Sequence, residues 1–344
     1  MIILKKVPIV YPRRNVTCIA FTATASLIAA MLMSGIPIKR HPLEPWQYVL
    51  PEYALTKGKL WGLLQDSRFK YIAVVTFIVT TSGGLQTFTI PGNWNSGNNK
   101  TECIGSGASG GALSNTAPAA SGGGGGGYSS VLNLIFTPGS TVSFNLGSSG
   151  ASTWFNGASL GASSVGAEGG HAGTTANAGT ANGGVGGSSA NGTGTTKFSG
   201  GRGGNATTTG SLPGSQAATG GGGAAGLNGN GNNSSDLSEG AGAGGTTNGG
   251  SGDVGAGGAG GGSSSNGGNG TEYDGSHGSG GGGGGAGAFS SANATGGSGG
   301  LYGGGGGGAS SVGGAVTSGA GAQGLIVVTN TPATVGILVW NVLG

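Results

Sequence analysis

Apolar and polar positions follow a strand period in a series of short stretches, all lying after residue 70. Ile72 to Thr80 (IAVVTFIVT) is β-branched and aromatic and stops at Ser82-Gly83-Gly84, which predicts a buried strand followed by a turn. Gln86 to Ile90 and Lys100 to Ile104 predict two more strands, separated by turn chemistry from Pro91 to Asn99. Val131 to Phe136 and Thr141 to Leu146 flank Thr137-Pro138-Gly139-Ser140 and predict a hairpin. Thr153 to Phe155 and Ala158 to Val165 offer shorter strands, and Leu325 to Thr329 (LIVVT) closes the pattern. The expected sheet buries Ile72, Val74, Phe77, Phe88, Leu132, Leu134, Phe144, Ile326 and Val328. Cys103 is expected on a strand as a small hydrophobe.

Between these strands the apolar pattern gives way to glycine. Only Gly35, Gly58 and Gly62 precede residue 81, so 85 of the 88 glycines fall in the remaining 264 residues. Glycine loses the most conformational freedom on folding and by itself argues for a linker. A linker, however, does not need a hydrophobic strand at each end, and 7% charged residues is too few for the usual disordered class. The dense tracts at Gly122 to Gly127, Gly220 to Gly223, Gly257 to Gly262 (interrupted by Ala259), Gly280 to Gly285 and Gly303 to Gly308 suit extended helices of three residues per turn. Such helices leave every N–H and C=O free to bond a neighbour, and only glycine permits that approach on all sides. The segments between the tracts are rich in Asn, Ser and Thr and read as loops, with no period that would make a solenoid.

The head differs in charge as well as in glycine. Residues 1–80 carry ten basic and three acidic residues, a net of +7, which leaves the rest at −4 and argues against nucleic-acid binding by the glycine body. Val16 to Ile38 is uncharged for 23 residues, long enough to span a bilayer as a helix, but basic on both flanks and without a convincing cleavage site. The expected organisation is a basic segment 1–70 with a candidate anchor helix at 16–38, to which a secretion signal, a buried helix or an upstream extension without function are the alternatives, then a glycine-rich domain 71–332 and an apolar tail 333–344.

No motif points to catalysis. Matches to G-x-G-x-x-G follow from composition, and none comes after a strand with the acidic partner that a dinucleotide fold requires. A Walker sequence is absent, His41, His171 and His277 are isolated, and Cys18 and Cys103 form no metal or disulfide framework. Gly252-Asp253 lacks the spacing of a calcium repeat, and Arg202 stands in a single Arg-Gly-Gly. Collagen is excluded because glycine keeps no fixed three-residue period along the chain. No enzyme activity, cofactor or metal is expected.

The order TFTIPGNW, KTECIGSGASGG, GGGGGGYSSVLNLIFTPGSTVSFNLGSSG, TWFNG, ASLGASSVGAEGG and GAGAQGLIVVTNTP resembles the glycine-rich domain of bacteriophage and prophage tail proteins. The resemblance spans Ile72 to Pro332, is specific at both ends, and leaves residues 1–70 and the apolar ending unmatched. It implies a mainly β fold in which a small sheet or sandwich, built from strands of both ends, closes a bundle of polyglycine II helices. It also implies a virion structural protein of the tail or tail fibre, partnered by other tail proteins, whose loops touch a protein or glycan receptor on the host surface. Aromatic and charged residues in otherwise plain loops are the contact candidates: Asp236, Glu239, Glu272, Tyr273, Asp274, His277, Phe289, Leu301 and Tyr302. For Phe289 and Tyr302 the alternative is a wedge between helices. Self-association into a homo-oligomer is left open, and a membrane is a partner only if residues 16–38 insert. A bacterial surface or matrix protein anchored by residues 16–38 is the second expectation. Ice binding by a flat glycine bundle, the third, conflicts with the missing long-range period.

Overall fold

The structure is a computed structural model that describes residues 5–11, 14–21, 39–40, 48–51, 75–81, 83–112, 119–208, 216–239, 244–246, 249–253, 279–285, 294–311 and 316–332. The chain divides into two compact units, residues 1–74 with 331–344, and residues 75–330. In the first, β1 (Lys5–Tyr11), β2 (Arg14–Phe21), β3 (Lys39–Arg40) and β4 (Tyr48–Pro51) form one antiparallel sheet in the order β1-β2-β4-β3. Residues 16–21, where the candidate anchor helix would begin, are therefore strand. Val16, Thr17 and Ile19 are β-branched and suit a strand, and β2 pairs on both sides, with β1 and with β4. Residues 22–38 lie outside the described set. Among the described residues no helix is long and apolar enough to cross a membrane.

The second unit is also mainly β. In chain order its larger strands are β5 (Val75–Val79), β6 (Leu85–Thr89), β7 (Asn99–Ile104), β8 (Ala119–Ala120), β9 (Tyr128–Leu132), β10 (Thr141–Asn145), β11 (Thr153–Phe155) and β12 (Val165–Ala167). Then come β13 (Thr175–Ala176), β14 (Gly179–Ala181), β15 (Thr196–Phe198), β16 (Ala206–Thr208), β17 (Gln216–Ala218), β18 (Leu237–Glu239), β19 (Gly244–Thr246) and β20 (Leu325–Asn330). An antiparallel five-stranded sheet, β15-β9-β7-β20-β5, shares a core with an antiparallel four-stranded sheet, β12-β11-β10-β6. Alternation decides what enters it. Val142 and Phe144 of β10 and Ile326 and Val328 of β20 join Ile90, Trp94, Cys103, Leu146, Phe155 and Val165, with Phe77, Phe88, Leu134 and Phe136 packed around them.

Leu325 and Val327 point to the opposite face of β20, where they cluster with Ile104, Tyr128, Ala224, Ala225 and Tyr302. The five-stranded sheet is thus buried on both faces, which is why β20 reads as an unbroken apolar run. Two buried asparagines tie the connections down. Asn99 accepts from the Leu134 N–H (2.8 Å) and donates to the Leu134 carbonyl (3.0 Å), while Asn330 accepts from the Asn95 N–H (2.9 Å) and donates to the Asn93 carbonyl (3.2 Å).

The expected hairpin at 131–146 does not form. β9 begins earlier, at Tyr128, and ends before Asn133, whose φ of 59° places it in the left-handed region. Leu134 and Phe136 then cross toward the shared core, Ile135 is 84% exposed, and the Pro138-Gly139 turn delivers the chain to β10 in the other sheet. Leu132 is likewise 60% exposed, not buried; Ile72 and Val74 lie outside the described residues.

Glycine segments run from the five-stranded sheet to a far end and back. Gly122 to Gly127 shows how they cohere. The N–H groups of Gly122 and Gly125 reach Gly204 and Gly201, those of Gly123 and Gly126 reach Gly306 and Gly303, and those of Gly124 and Gly127 reach His171 and Glu168. Their carbonyls accept from Gly184 and Gly187, from Gly222 and Ala225, and from Ala108 and Gly105, again in steps of three. Every third residue therefore addresses the same neighbour, and six neighbours surround the tract. Residues 219–226 and 303–309 are each surrounded in the same way, and the three tracts bond to one another.

At the rim the same step appears as side chains. Glu168-Gly-Gly-His171, Asn182-Gly-Gly-Val185-Gly-Gly-Ser188 and Ser199-Gly-Gly-Arg202-Gly-Gly-Asn205 turn one residue in three outward, Val185 being 60% exposed. The far end is finished by short sheets, β13-β8-β17-β19 and β14-β16-β18, which include parallel pairs and enclose Ala119, Ala181, Ala206 and Ala217.

A Cβ on Gly125 would sit 2.1 Å from the Gly223 carbonyl oxygen and 2.4 Å from its carbon, both rigid backbone. Gly125→Ala is expected to cost at least about 1–3 kcal/mol, the scale of overpacking. Gly161→Ala, where a Cβ meets nothing within 4 Å, is expected to leave the thermal midpoint unchanged; circular dichroism melts of the two variants check the contrast.

Candidate binding surface

The sequence candidates do not converge on one place. Asp236 lies on the rim segment 230–236, Glu239 ends β18 at the far end, and Leu301 is 38% exposed in a turn at the sheet end. Tyr302 is only 6% exposed and packs in the cluster of Ile104, Tyr128, Leu325 and Val327, a buried placement of the kind the wedge alternative describes. Its flanking glycines made it look like a loop aromatic, whereas the sheet behind them supplies an apolar bed. Glu272, Tyr273, Asp274, His277 and Phe289 lie outside the described residues.

Asp236 belongs to a ladder. The side-chain oxygens of Asn230, Asn233 and Asp236 accept from the N–H groups of Ser199 (2.8 Å), Arg202 (2.7 Å) and Asn205 (2.8 Å), three residues apart on both segments. In return the N–H groups of Gly231, Ser234 and Leu237 donate to the carbonyls of Ser199, Arg202 and Asn205. Side chains here take the part that a further glycine segment would play in the interior. Arg202 Nη2 also reaches Asp236 Oδ1 at 2.7 Å. Partial burial pushes the Asp236 carboxyl upward, but the Asn205 N–H, the Arg202 hydrogen bond and charge, and the Asn205 side chain together hold it below the usual carboxylate range.

Residues that sequence reasoning passed over gather beside this ladder. His171 donates its N–H to the Val185 carbonyl (2.9 Å), and the 182–188 segment bonds to the 199–205 segment through Gly184 and Gly187. His171, Val185, Arg202 and Asn233 thus project from four adjacent segments of one rim face. Glu168, one step along from His171, accepts from the Ser188 N–H (2.7 Å) and the Asn191 amide (3.0 Å), and lies 3.7 Å from His171 Nε2. The X-Gly-Gly spacing was the available signal, since it fixes which residues face out.

The buried ionisable groups serve structure. Glu102 is 4% exposed and holds Lys100 Nζ at 2.8 Å and the Tyr128 hydroxyl at 2.5 Å. Burial, then the Glu102 charge and hydrogen bond, push the Tyr128 hydroxyl up. Burial first and Glu102 second push the Cys103 thiol up, which disfavours its thiolate form. Asp253, 3% exposed, accepts from the Asn228 N–H (2.8 Å) and from the Ser279 hydroxyl. No group of three or more metal-ligating side chains occurs among the described residues. No family model matches the chain, and no curated protein matches it.

Because the Asp236 carboxyl is depressed in the folded state, its stabilisation is fully present above the unfolded-chain value of about 3.9 and is lost as pH falls through the folded value. Asp236→Asn is therefore expected to melt below wild type at pH 6, with the difference starting to shrink as pH falls below about 4 and lost only once pH passes below the folded value. Paired thermal melts across pH 3–7 measure this, and 1 M salt should shrink the effect at pH 6 as well.

Proposed function

We propose that this chain is a structural protein of a phage or prophage tail, associated with the tail or its fibre. Its glycine segments form a bundle of polyglycine II helices that holds polar residues out to a receptor on the host surface, a protein or a glycan. One observation carries the reading. The segments bond their neighbours in steps of three residues with six neighbours around each interior tract, the pattern expected of polyglycine II helices packed side by side. The order of motifs from TFTIPGNW to GLIVVTNTP supports it from the sequence side.

A body held by main-chain bonds leaves its rim and loops free to vary without disturbing the core, the arrangement that suits recognition residues on a rigid scaffold. The exposed polar rows of the rim and the Asn-, Ser- and Thr-rich far end supply hydrogen-bonding groups with little apolar area, which favours a glycan or a polar protein loop over a lipid. The other partners in this reading are virion tail proteins, and the assembled location is the virion.

The full chain is expected to bind the cell-envelope fraction of its host saturably and to be encoded among tail genes. Pull-down with outer-envelope, inner-membrane and peptidoglycan fractions checks the first point; absence of binding to every fraction would contradict receptor recognition.

A further inference from the structure

The four-stranded sheet ends at β6, and among the described residues no strand pairs with its outer side. The hydrogen-bond phase of that side follows from its last turn. The Ile90 N–H donates across to the Ser140 carbonyl (2.8 Å), so alternation turns the N–H and C=O groups of Phe88 and Gln86 toward β10 and those of Leu85, Thr87 and Thr89 toward the open side. The same three residues are exposed, Leu85 at 61%.

Natural edge strands are usually guarded by a charge, a proline or a bulge. β6 (LQTFT) has no charge and no proline, and its five pairs with β10 run without a bulge. The other three edges of the two sandwich sheets differ. β12 is bridged by Thr193 through Gly166, β15 carries Lys197, and β5 continues from residues outside the described set.

We infer that β6 is a pairing edge for a second copy of this chain, joined antiparallel about a two-fold axis at Thr87. The strand is self-complementary in that arrangement. Leu85 faces Thr89 of the other copy, Thr87 faces its own symmetry mate, and all three outward residues exchange both hydrogen bonds. Leu–Thr and Thr–Thr neighbours suit cross-strand contact, and the two four-stranded sheets become one sheet of eight. No charge repels its own copy across the axis, which a strand bearing a single Lys or Glu near its centre would suffer.

The full-length chain is expected to run at twice its 32.2 kDa mass in sedimentation equilibrium at tens of micromolar, and Thr87→Lys at the monomer mass with an unchanged melt. In a Cys18→Ser background, Thr87→Cys places two thiols on Cα atoms about 5.5 Å apart, inside the range for a disulfide. Mild oxidation is then expected to yield covalent dimer at least tenfold faster than for Ile135→Cys, an exposed control away from the edge. A monomeric wild type with equal cross-linking at both sites, or a Thr87→Lys variant that stays dimeric, would overturn the inference.

Discussion

Main-chain hydrogen bonding between segments that carry no side chains is the constraint on which the second unit depends. A Cβ on Gly122, Gly125 or Gly222 would lie about 2 Å from a carbonyl oxygen of a neighbouring segment, closer than atoms can come. The glycines are therefore spacers of zero thickness, and the entropy that each loses on folding is set against bonds made in every direction. An ordinary core excludes water with side chains. Here Gly122 to Gly127 is buried by other backbones.

Such a body needs its ends fixed, because segments whose hydrogen bonds all go to neighbouring segments have none of their own to hold their shape. The five-stranded sheet does this at one end. Ile326 and Val328 face the sandwich core while Leu325 and Val327 face the glycine segments with Tyr128 and Tyr302, so a single strand joins two kinds of packing. Glu102 and Tyr128 bond across that same face. At the rim, where a neighbour is missing, Asn230, Asn233 and Asp236 supply oxygens that a backbone would have provided. The far end is closed by alanine-lined strands, small enough to continue the close packing.

Much of the sandwich was legible because its signals are local. Alternation in Thr141 to Asn145, the apolar run at Leu325 and the turn before Trp94 each carry their own evidence. The false hairpin at 131–146 was not legible, since the break at Asn133 depends on Asn99, 34 residues away. The rim period was written in Ser199, Arg202 and Asn205, but the interior tracts, glycine at every position, hide the phase in which it runs. Tyr302 was left between contact and wedge for the same reason: a ring among glycines reads either way until the sheet that receives it is known. Of the contact candidates, Asp236 proved to be engaged by Arg202 and Asn205, so its charge serves the rim first.

Amide hydrogen exchange reads the central claim directly. If the glycine tracts are a hydrogen-bonded core, the amides of Gly123, Gly222 and Gly305 should exchange as slowly as that of Val327 in β20, protected by the global unfolding free energy. Exchange of those glycines at random-coil rates, beside a protected Val327, would contradict it and leave a folded sandwich carrying a long unstructured loop.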